Sequence, residues 1–219
     1  MPDAGSVRRA VAGCPPWLWS FVCTAAFLVA YVTAVLWEPG QWFDAKALGW
    51  VQALGVGPVA SWLPFLARRV LPVALAAVVF LASVGAIADR RLRSVVTAVL
   101  VAVLPVLLSP VLRDHVLRRA NHGEGYGYMY NTFPSTHVVV VGSLVAALSI
   151  VLESHPAWFE RLVVPVVFFA MAGNVVGHAH RPSDVVGSVL VVGAVHGLVN
   201  SWPSRSSRPR HGPRDCDPR

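Results

Sequence analysis

Five long apolar runs constrain this chain more than any other feature of its sequence. They cover residues 17–37, 70–88, 94–112, 162–178 and 185–202. A helix of about 17 to 25 apolar residues crosses the hydrocarbon core of a bilayer. A sixth run follows His137 and ends near Leu152, and it is long enough to span only when its polar ends are included. We therefore predict an all-α, polytopic membrane protein built as a bundle of six transmembrane helices.

The composition supports the same fold class. Of 219 residues, 55% are hydrophobic and 13% are charged, whereas roughly 25% of the residues in a soluble domain are charged. We predict one membrane domain over residues 17–202, preceded by a cytoplasmic tail over residues 1–16. Residues 203–219 are predicted to form a basic, disordered cytoplasmic tail, which touches anionic lipid more readily than nucleic acid because it has no aromatic stacking residues.

The segment over residues 47–66 is moderately apolar but interrupted. Its breaks and flanking tryptophans are Gly49, Trp50, Gly55, Gly57, Pro58, Trp62 and Pro64. Tryptophan favours the headgroup level of a membrane. We predict an interfacial or re-entrant segment here and not a seventh span.

Basic residues predict the orientation of the bundle. With six spans, seven of the 18 basic residues fall on one face, namely Lys46, Arg68, Arg69, Arg113, Arg118, Arg119 and Arg181, and the other eleven fall with the two termini. Cytoplasmic loops of membrane proteins carry the excess of lysine and arginine. Both termini are therefore predicted to be cytoplasmic, in a plasma-membrane protein.

The densest polar chemistry lies in three patches at helix ends. LRDHVLRRANH, residues 112–122, follows the third span; NTFPSTH, residues 131–137, precedes the fourth; and GHAHRPSDVVG, residues 177–187, joins the last two. Taken singly, each has a structural explanation as arginine anchors, a helix cap or a hydrogen-bonded histidine. Because successive spans alternate in direction, all three patches share one face, which is extracytoplasmic in this topology.

Cations, a hydroxyl at a helix start and two histidines together favour phosphoryl transfer. Arginine forks and helix N-terminal amides bind the negative charge of a phosphoryl group. One imidazole can attack phosphorus while a second, protonated imidazole gives a proton to the leaving oxygen. His180 and Asp184 are four residues apart, on one helical face, so the carboxylate can hold one ring nitrogen protonated. His137 is then the proton donor.

These residues resemble the motifs of the type 2 phosphatidic acid phosphatase superfamily, which are KxxxxxxRP, PSGH and SRxxxxxHxxxD. The second motif is similar to PSTH at residues 134–137, and the third retains its HxxxD part as His180 and Asp184. The resemblance implies a six-helix membrane phosphatase without metal or cofactor. It implies that His180 is the nucleophile, Asp184 its orienting partner, His137 the general acid and Ser135 a phosphate contact.

The chain departs from these motifs at several positions. Arg113 corresponds to the first lysine, but Ala120 stands seven residues later, so Arg118 or Arg119 fills the arginine position without a following proline. The glycine of the second motif is Thr136, and the SR pair of the third falls on Gly173 and Asn174. Either Arg181 or the second arginine of the 118–119 pair compensates for this loss, or the site is nearly inert and still binds lipid phosphate. The predicted phosphate-binding residues are Arg113, Arg118, Arg119, Ser135, Thr136, Asn174 and Arg181.

The leading hypothesis is a metal-independent phosphatase that hydrolyses a phosphomonoester or pyrophosphate on a lipid. The alternative is a catalytically weak lipid-phosphate binding or scaffold protein that lacks the third-motif arginine. Transport is less well supported because the ionisable residues cluster at one face, whereas transporter sites lie near the midplane. His178 forms an HxH pair with His180 but has no third metal ligand at a suitable spacing. Residues 123–131 are predicted to form either a flap over the headgroup or a plain interfacial loop.

Overall fold

The structure, a computed structural model, describes residues 15–54, 57–122, 130–153 and 157–202. Within these ranges all regular secondary structure is helical, which confirms the predicted all-α class. The helices are α1 (Pro16–Tyr31), α2 (Glu38–Leu54), α3 (Pro58–Phe65), α4 (Leu71–Ala88), α5 (Leu92–Val111), α6 (Thr136–Leu152), α7 (Ala157–Val176) and α8 (Pro182–Asn200). Most of both predicted tails, residues 1–14 and 203–219, and most of the predicted flap, residues 123–129, lie outside the described residues.

Five helical stretches are long and apolar enough to cross a membrane. They are Pro16–Leu36, Ser61–Ala88, Leu92–Val116, Ala157–Val176 and Pro182–Asn200. Helix α6 is also apolar but shorter, at 17 residues. A multi-pass membrane protein is thus consistent with the structure, and the sixth span remains a prediction.

Three π-helical turns extend the α-helices. Val32–Leu36 follows α1, Leu66–Val70 joins α3 to α4, and Leu112–Val116 follows α5. Pro64 and Pro72 lie on either side of the second turn, and a proline has no N–H for the helical hydrogen-bond ladder. Because α3, this turn and α4 follow one another directly, Ser61–Ala88 forms one helix that begins well before the predicted span at residue 70. Arg68 and Arg69 therefore lie within a helix and not in a loop.

The interrupted segment over residues 47–66 is helical on both sides of a short break. Helix α2 ends at Leu54 and α3 begins at Pro58, after Gly57 with φ of 68°. Trp50 and Trp62 are both exposed. The position of the 47–66 segment at the membrane interface remains a prediction.

Close helix contacts depend on glycines of α8. A Cβ at Gly197 would lie 2.7 Å from the carbonyl oxygen of Pro16, and a Cβ at Gly193 would lie 2.8 Å from Sγ of Cys23. Small residues four apart let transmembrane helices approach closely. Helix α1 therefore packs directly on α8, and Ser20 adds a hydrogen bond to the carbonyl of Ala194 at 2.7 Å.

The alternation of helix directions gives the bundle two chemically different ends. One end gathers the C-terminal ends of α1, α5 and α7 and the N-terminal ends of α6 and α8. At the opposite end, the Arg91 guanidinium donates to the carbonyl of Val151, and Ser94 donates to Glu153 at 2.6 Å. The three polar patches of the sequence all belong to the first end.

Candidate active site

The start of α6 is attached to the start of α8 by both packing and hydrogen bonds. The Phe133 ring is fully buried and lies where a Cβ at Gly187 would be, so only glycine fits at that position of α8. The Ser135 N–H donates to the carbonyl of Asp184 at 3.2 Å, and the Ser188 hydroxyl donates to the carbonyl of Ser135 at 2.9 Å. The peptide bond before Pro134 is cis. These contacts fix the PSTH segment against the HxxxD segment.

Two histidines face each other across this junction. His137 is the second residue of α6 and is exposed, whereas His180 precedes α8 and is 6% exposed. Their ring centroids are 6.3 Å apart and the ring planes meet at 63°. The two rings are thus close enough for both to reach one group bound beside them.

Asp184 is fully buried and accepts hydrogen bonds from three directions. Its Oδ1 accepts from Nη2 of Arg119 at 3.0 Å, and its Oδ2 accepts from the Thr132 hydroxyl at 2.5 Å and from the Arg181 N–H at 2.9 Å. Nδ1 of His180 lies 3.6 Å from the same Oδ2, just beyond hydrogen-bond length. The carboxylate is therefore held in place beside the ring, with its charge balanced by Arg119.

The two arginines of the 118–119 pair have different positions. The Arg119 side chain is 4% exposed and pairs with Asp184. Arg118 is exposed, and its N–H donates to the Tyr31 hydroxyl at 2.9 Å. Of the two side chains, Arg119 is thus the one that the structure brings to the histidine pair.

Arg113 lies at the same end of the bundle. Its Nη1 donates to the Thr136 hydroxyl at 3.2 Å, and its guanidinium also pairs with Asp114. The positive charges of Arg68, Arg69 and Arg113 all act on the His137 ring. Positive charge therefore lies near His137.

Three buried side chains at the site, among the residues that the structure describes, have polar atoms without a hydrogen-bond partner, and one of these atoms is Nδ1 of His180. The other two side chains can face a bound anion. Their atoms are Nε and Nη1 of Arg119 and Oγ of Ser135. Leaving a buried polar group without a partner costs about 1–3 kcal/mol. The oxygens of a bound anion are acceptors that match such donors.

Asn174, where the resemblance in the sequence implies an arginine, contacts Arg68. It is fully buried, and its Oδ1 accepts from Nε of Arg68 at 3.2 Å while its backbone carbonyl accepts from Nη2 of Arg68 at 3.0 Å. The sequence prediction looked for a compensating cation in Arg181 and the 118–119 pair and missed Arg68. Arg181 is the N-cap residue of α8, is fully buried, and acts electrostatically on Asp44.

Asp44 is a second residue that the sequence prediction missed. It lies on α2, is 4% exposed, and accepts from both the N–H and the hydroxyl of Ser183. Burial raises the pKa of its carboxyl group, and the hydrogen bonds from Ser183 only partly oppose that rise. An isolated aspartate in an interrupted amphipathic segment gives no sequence signal for such a contact.

The HxH pair is divided between two environments. His178 is exposed, with φ of 55°, while His180 is buried beside Asp184. Among the residues that the structure describes, no three His, Cys, Asp or Glu side chains lie close enough together to hold a metal ion.

No family model, curated protein or solved structure matches this chain. The functional interpretation therefore rests on the motifs and on the geometry of the site.

Proposed function

We propose that this chain is an integral membrane phosphatase that hydrolyses a lipid phosphomonoester or pyrophosphate through a phosphohistidine intermediate. The observation that supports this function best is the facing pair of His137 and His180, with ring centroids 6.3 Å apart. Reacting atoms approach to roughly 3–3.5 Å, and a proton donor lies about 2.6–3.2 Å from its acceptor. A phosphoryl group bound beside the two rings therefore has both a nucleophile and an acid within reach.

In the first step His180 attacks phosphorus. Its Nδ1 side lies toward Asp184, so Nε2 is the attacking atom and the carboxylate stabilises the charge that develops on the ring. The P–N bond forms as the bond between phosphorus and the lipid oxygen breaks. That oxygen takes the proton of His137, whose protonated form the negative charge of the bound phosphoryl group favours, and it leaves as an alcohol, or as a phosphate in the case of a pyrophosphate.

In the second step water replaces His180. Neutral His137 takes a proton from the attacking water, whose oxygen bonds to phosphorus as the P–N bond breaks. Phosphate leaves and His137 is protonated again. His180 is restored without a change of redox state, so the cycle needs no cofactor.

The surrounding donors suit the charge of the transferred group. Arg119 and Ser135 have buried polar atoms that no described residue meets, and Arg113 lies at the first turn of α6. Arginine forks and helix N-terminal amides stabilise charge on the phosphoryl oxygens during transfer. We assign Arg113, Arg119, Ser135 and Thr136 to the phosphate, and we place Arg181 behind the nucleophile as a buried charge.

We assign a lipid substrate because the site lies at the ends of helices that are long and apolar enough to span a membrane. A headgroup in the adjacent leaflet reaches this depth without leaving the bilayer. With six spans and the basic termini in the cytoplasm, this leaflet is the outer leaflet of the plasma membrane.

The test is phosphate release from purified protein in detergent, given phosphatidate, phosphatidylglycerol phosphate or a polyprenyl pyrophosphate. We expect turnover of at least one substrate by the wild type and none by His180→Ala. Radiolabelled phosphate should be trapped on the wild type as an acid-labile adduct that His180→Ala lacks. Binding of these lipids without turnover would instead support the scaffold alternative. Turnover lost in EDTA and restored by magnesium or zinc would overturn the metal-independent mechanism.

A further inference from the structure

We propose that Arg68, seated on Asn174, is a phosphate-binding residue of this site. The inference rests on the proposed function for the identity of the anion. It adds a cation from the helix that contains α3 and α4, which carries none of the three sequence patches.

The Arg68 guanidinium is held in a fixed plane by two hydrogen bonds. Nε donates to Oδ1 of Asn174 at 3.2 Å, and Nη2 donates to the carbonyl of the same residue at 3.0 Å. The Asn174 amide is itself oriented, because its Nδ2 donates to the carbonyl of Ala170 at 2.8 Å. A guanidinium has five N–H donors, so the bonds to Asn174 can fix its plane while the same group also donates to an anion.

Two glycines of α7 allow Arg68 to pack closely against this helix and contact Asn174. A Cβ at Gly173 would collide with the side chain of Ala67, and a Cβ at Gly177 would collide with the guanidinium of Arg68. The glycines are four residues apart and therefore share a face of α7. They let α7 approach the π turn at Leu66–Val70 closely enough for Arg68 to lie across Gly177.

The contact between Arg68 and Asn174 is linked to both histidines. The charge of Arg68 acts on the His137 ring. On the other side, the N–H of Ala179, which precedes His180, donates to the Asn174 carbonyl at 3.3 Å. Arg68 is thus tied to the turn that carries the proposed nucleophile and acts on the ring of the proposed acid.

The acceptors that α7 provides for Arg68 are both neutral. An amide oxygen and a backbone carbonyl hold the guanidinium in place at this helix. A preorganised positive charge stabilises a phosphoryl group more than a neutral donor does. Arg68 thereby places a guanidinium beside Asn174 from a neighbouring helix.

The test measures the affinity for inorganic phosphate by calorimetry on the purified full-length protein in detergent. We compare wild type, Arg68→Ala, Arg68→Lys and Arg93→Ala, since Arg93 is an exposed arginine at the opposite end of the bundle. Loss of a charged hydrogen bond predicts at least about tenfold weaker binding for Arg68→Ala. Arg68→Lys should be intermediate because it keeps the charge and loses the fork, and Arg93→Ala should match the wild type.

An exchange variant separates binding from folding. Arg68→Asn should lose affinity, and Arg68→Asn combined with Asn174→Arg should recover it, because the guanidinium then reaches the same space from α7. Unchanged affinity in Arg68→Ala, an equal loss in Arg93→Ala, or no recovery in the exchange variant would overturn the inference. Lipid turnover is measured in parallel. If phosphate binding depends on Arg68 but the protein turns over no lipid, the phosphatase function would be contradicted while the role of Arg68 in anion binding would be supported.

Discussion

The carboxylate of Asp44 on α2 accepts both the N–H and the hydroxyl of Ser183 on α8, at 2.9 and 2.6 Å. Ser183 lies in the first turn of α8, where backbone N–H groups have no partner within the helix. Asp44 therefore caps this helix from a different part of the chain. Because His180 and Asp184 flank Ser183, α2 also stabilises the segment that carries the proposed nucleophile.

Asp44→Ala should destabilise the protein. It leaves the buried N–H and hydroxyl of Ser183 without their acceptor, at a cost of about 1–3 kcal/mol for each group left without a partner. Thermal unfolding in detergent should show a clearly lowered midpoint, with a smaller drop for Ser183→Ala, which keeps the backbone bond. Lys46→Ala, an exposed change on the same helix, removes only a contact with the Trp42 ring and should cost at most about 1 kcal/mol. An unchanged midpoint in Asp44→Ala would contradict the capping role.

The same residue predicts a pH dependence of stability. Burial raises the pKa of Asp44 in the folded protein, whereas the unfolded value is about 3.9. The folded state then binds the proton more tightly, so the contribution of Asp44 to stability is complete below the unfolded pKa and declines as pH rises through the folded pKa. Asp44→Asn is neutral at every pH. Its unfolding midpoint should therefore rise relative to that of the wild type as the pH increases from the unfolded to the folded pKa of Asp44. A constant difference would contradict the raised pKa.

Replacing the proposed acid should affect poor leaving groups most. His137→Ala should greatly slow release of a lipid alcohol, because the alkoxide needs a proton, and should slow release of nitrophenol much less. Turnover of both substrates by wild type and variant measures the difference. An equal loss for both leaving groups would argue against His137 as the acid, while His180→Ala should abolish both reactions.

A steric change on α7 can displace Arg68 without altering any charge. In Gly177→Ala the new methyl group would collide with the Arg68 guanidinium and lie 2.7 Å from Cβ of Pro64. We expect weaker phosphate binding and slower turnover. Gly85→Ala is the matched control, since no described atom outside its own stretch of helix lies within 4 Å of its new Cβ, and it should retain both activities. Normal phosphate binding by Gly177→Ala would show that moving the Arg68 guanidinium does not weaken phosphate binding, and it would contradict the role given to Arg68.

Cysteine labelling tests the proposed orientation. Tyr130, at the site end, and Asp89, at the opposite end, are both exposed and can be replaced singly by cysteine in a protein that lacks Cys14, Cys23 and Cys216. In intact cells an impermeant thiol reagent should label position 130 and leave position 89 unlabelled. The reverse pattern would place the histidine pair in the cytoplasm and change the accessible pool of lipids.

The helices could be predicted from the sequence because long apolar runs leave the backbone few alternatives in a membrane. Because successive spans alternate in direction, the sequence predicted that the three patches share one end of the bundle. In the structure His137, His180 and Arg113 do lie together at one end. The helix boundary at residue 70 was wrong because a basic pair interrupts the apolar run there, although a π turn carries the helix through it.

Arg68 and Asp44 could not be predicted, since both act across large sequence separations. Arg68 is 106 residues from Asn174, and Asp44 is 139 residues from Ser183. Neither belongs to a local motif, and both contacts depend on how closely particular helices approach. The one available sequence signal was the spacing of Gly173 and Gly177, which indicates a close helix neighbour but not its identity.

The Phe133 ring packs directly against Gly187 and thereby fixes the position of α8 along the start of α6. A shift of α8 by one turn, about 5.4 Å, would bring Val191 or Ser183 to the place of Gly187 and drive a side chain into the ring. Rotation of α8 about its axis would meet the same obstacle. The register of α8 relative to α6 is therefore set by shape and does not depend on charge, so changes of pH, salt or bound anion can alter the electrostatics of the histidine pair without moving one ring past the other.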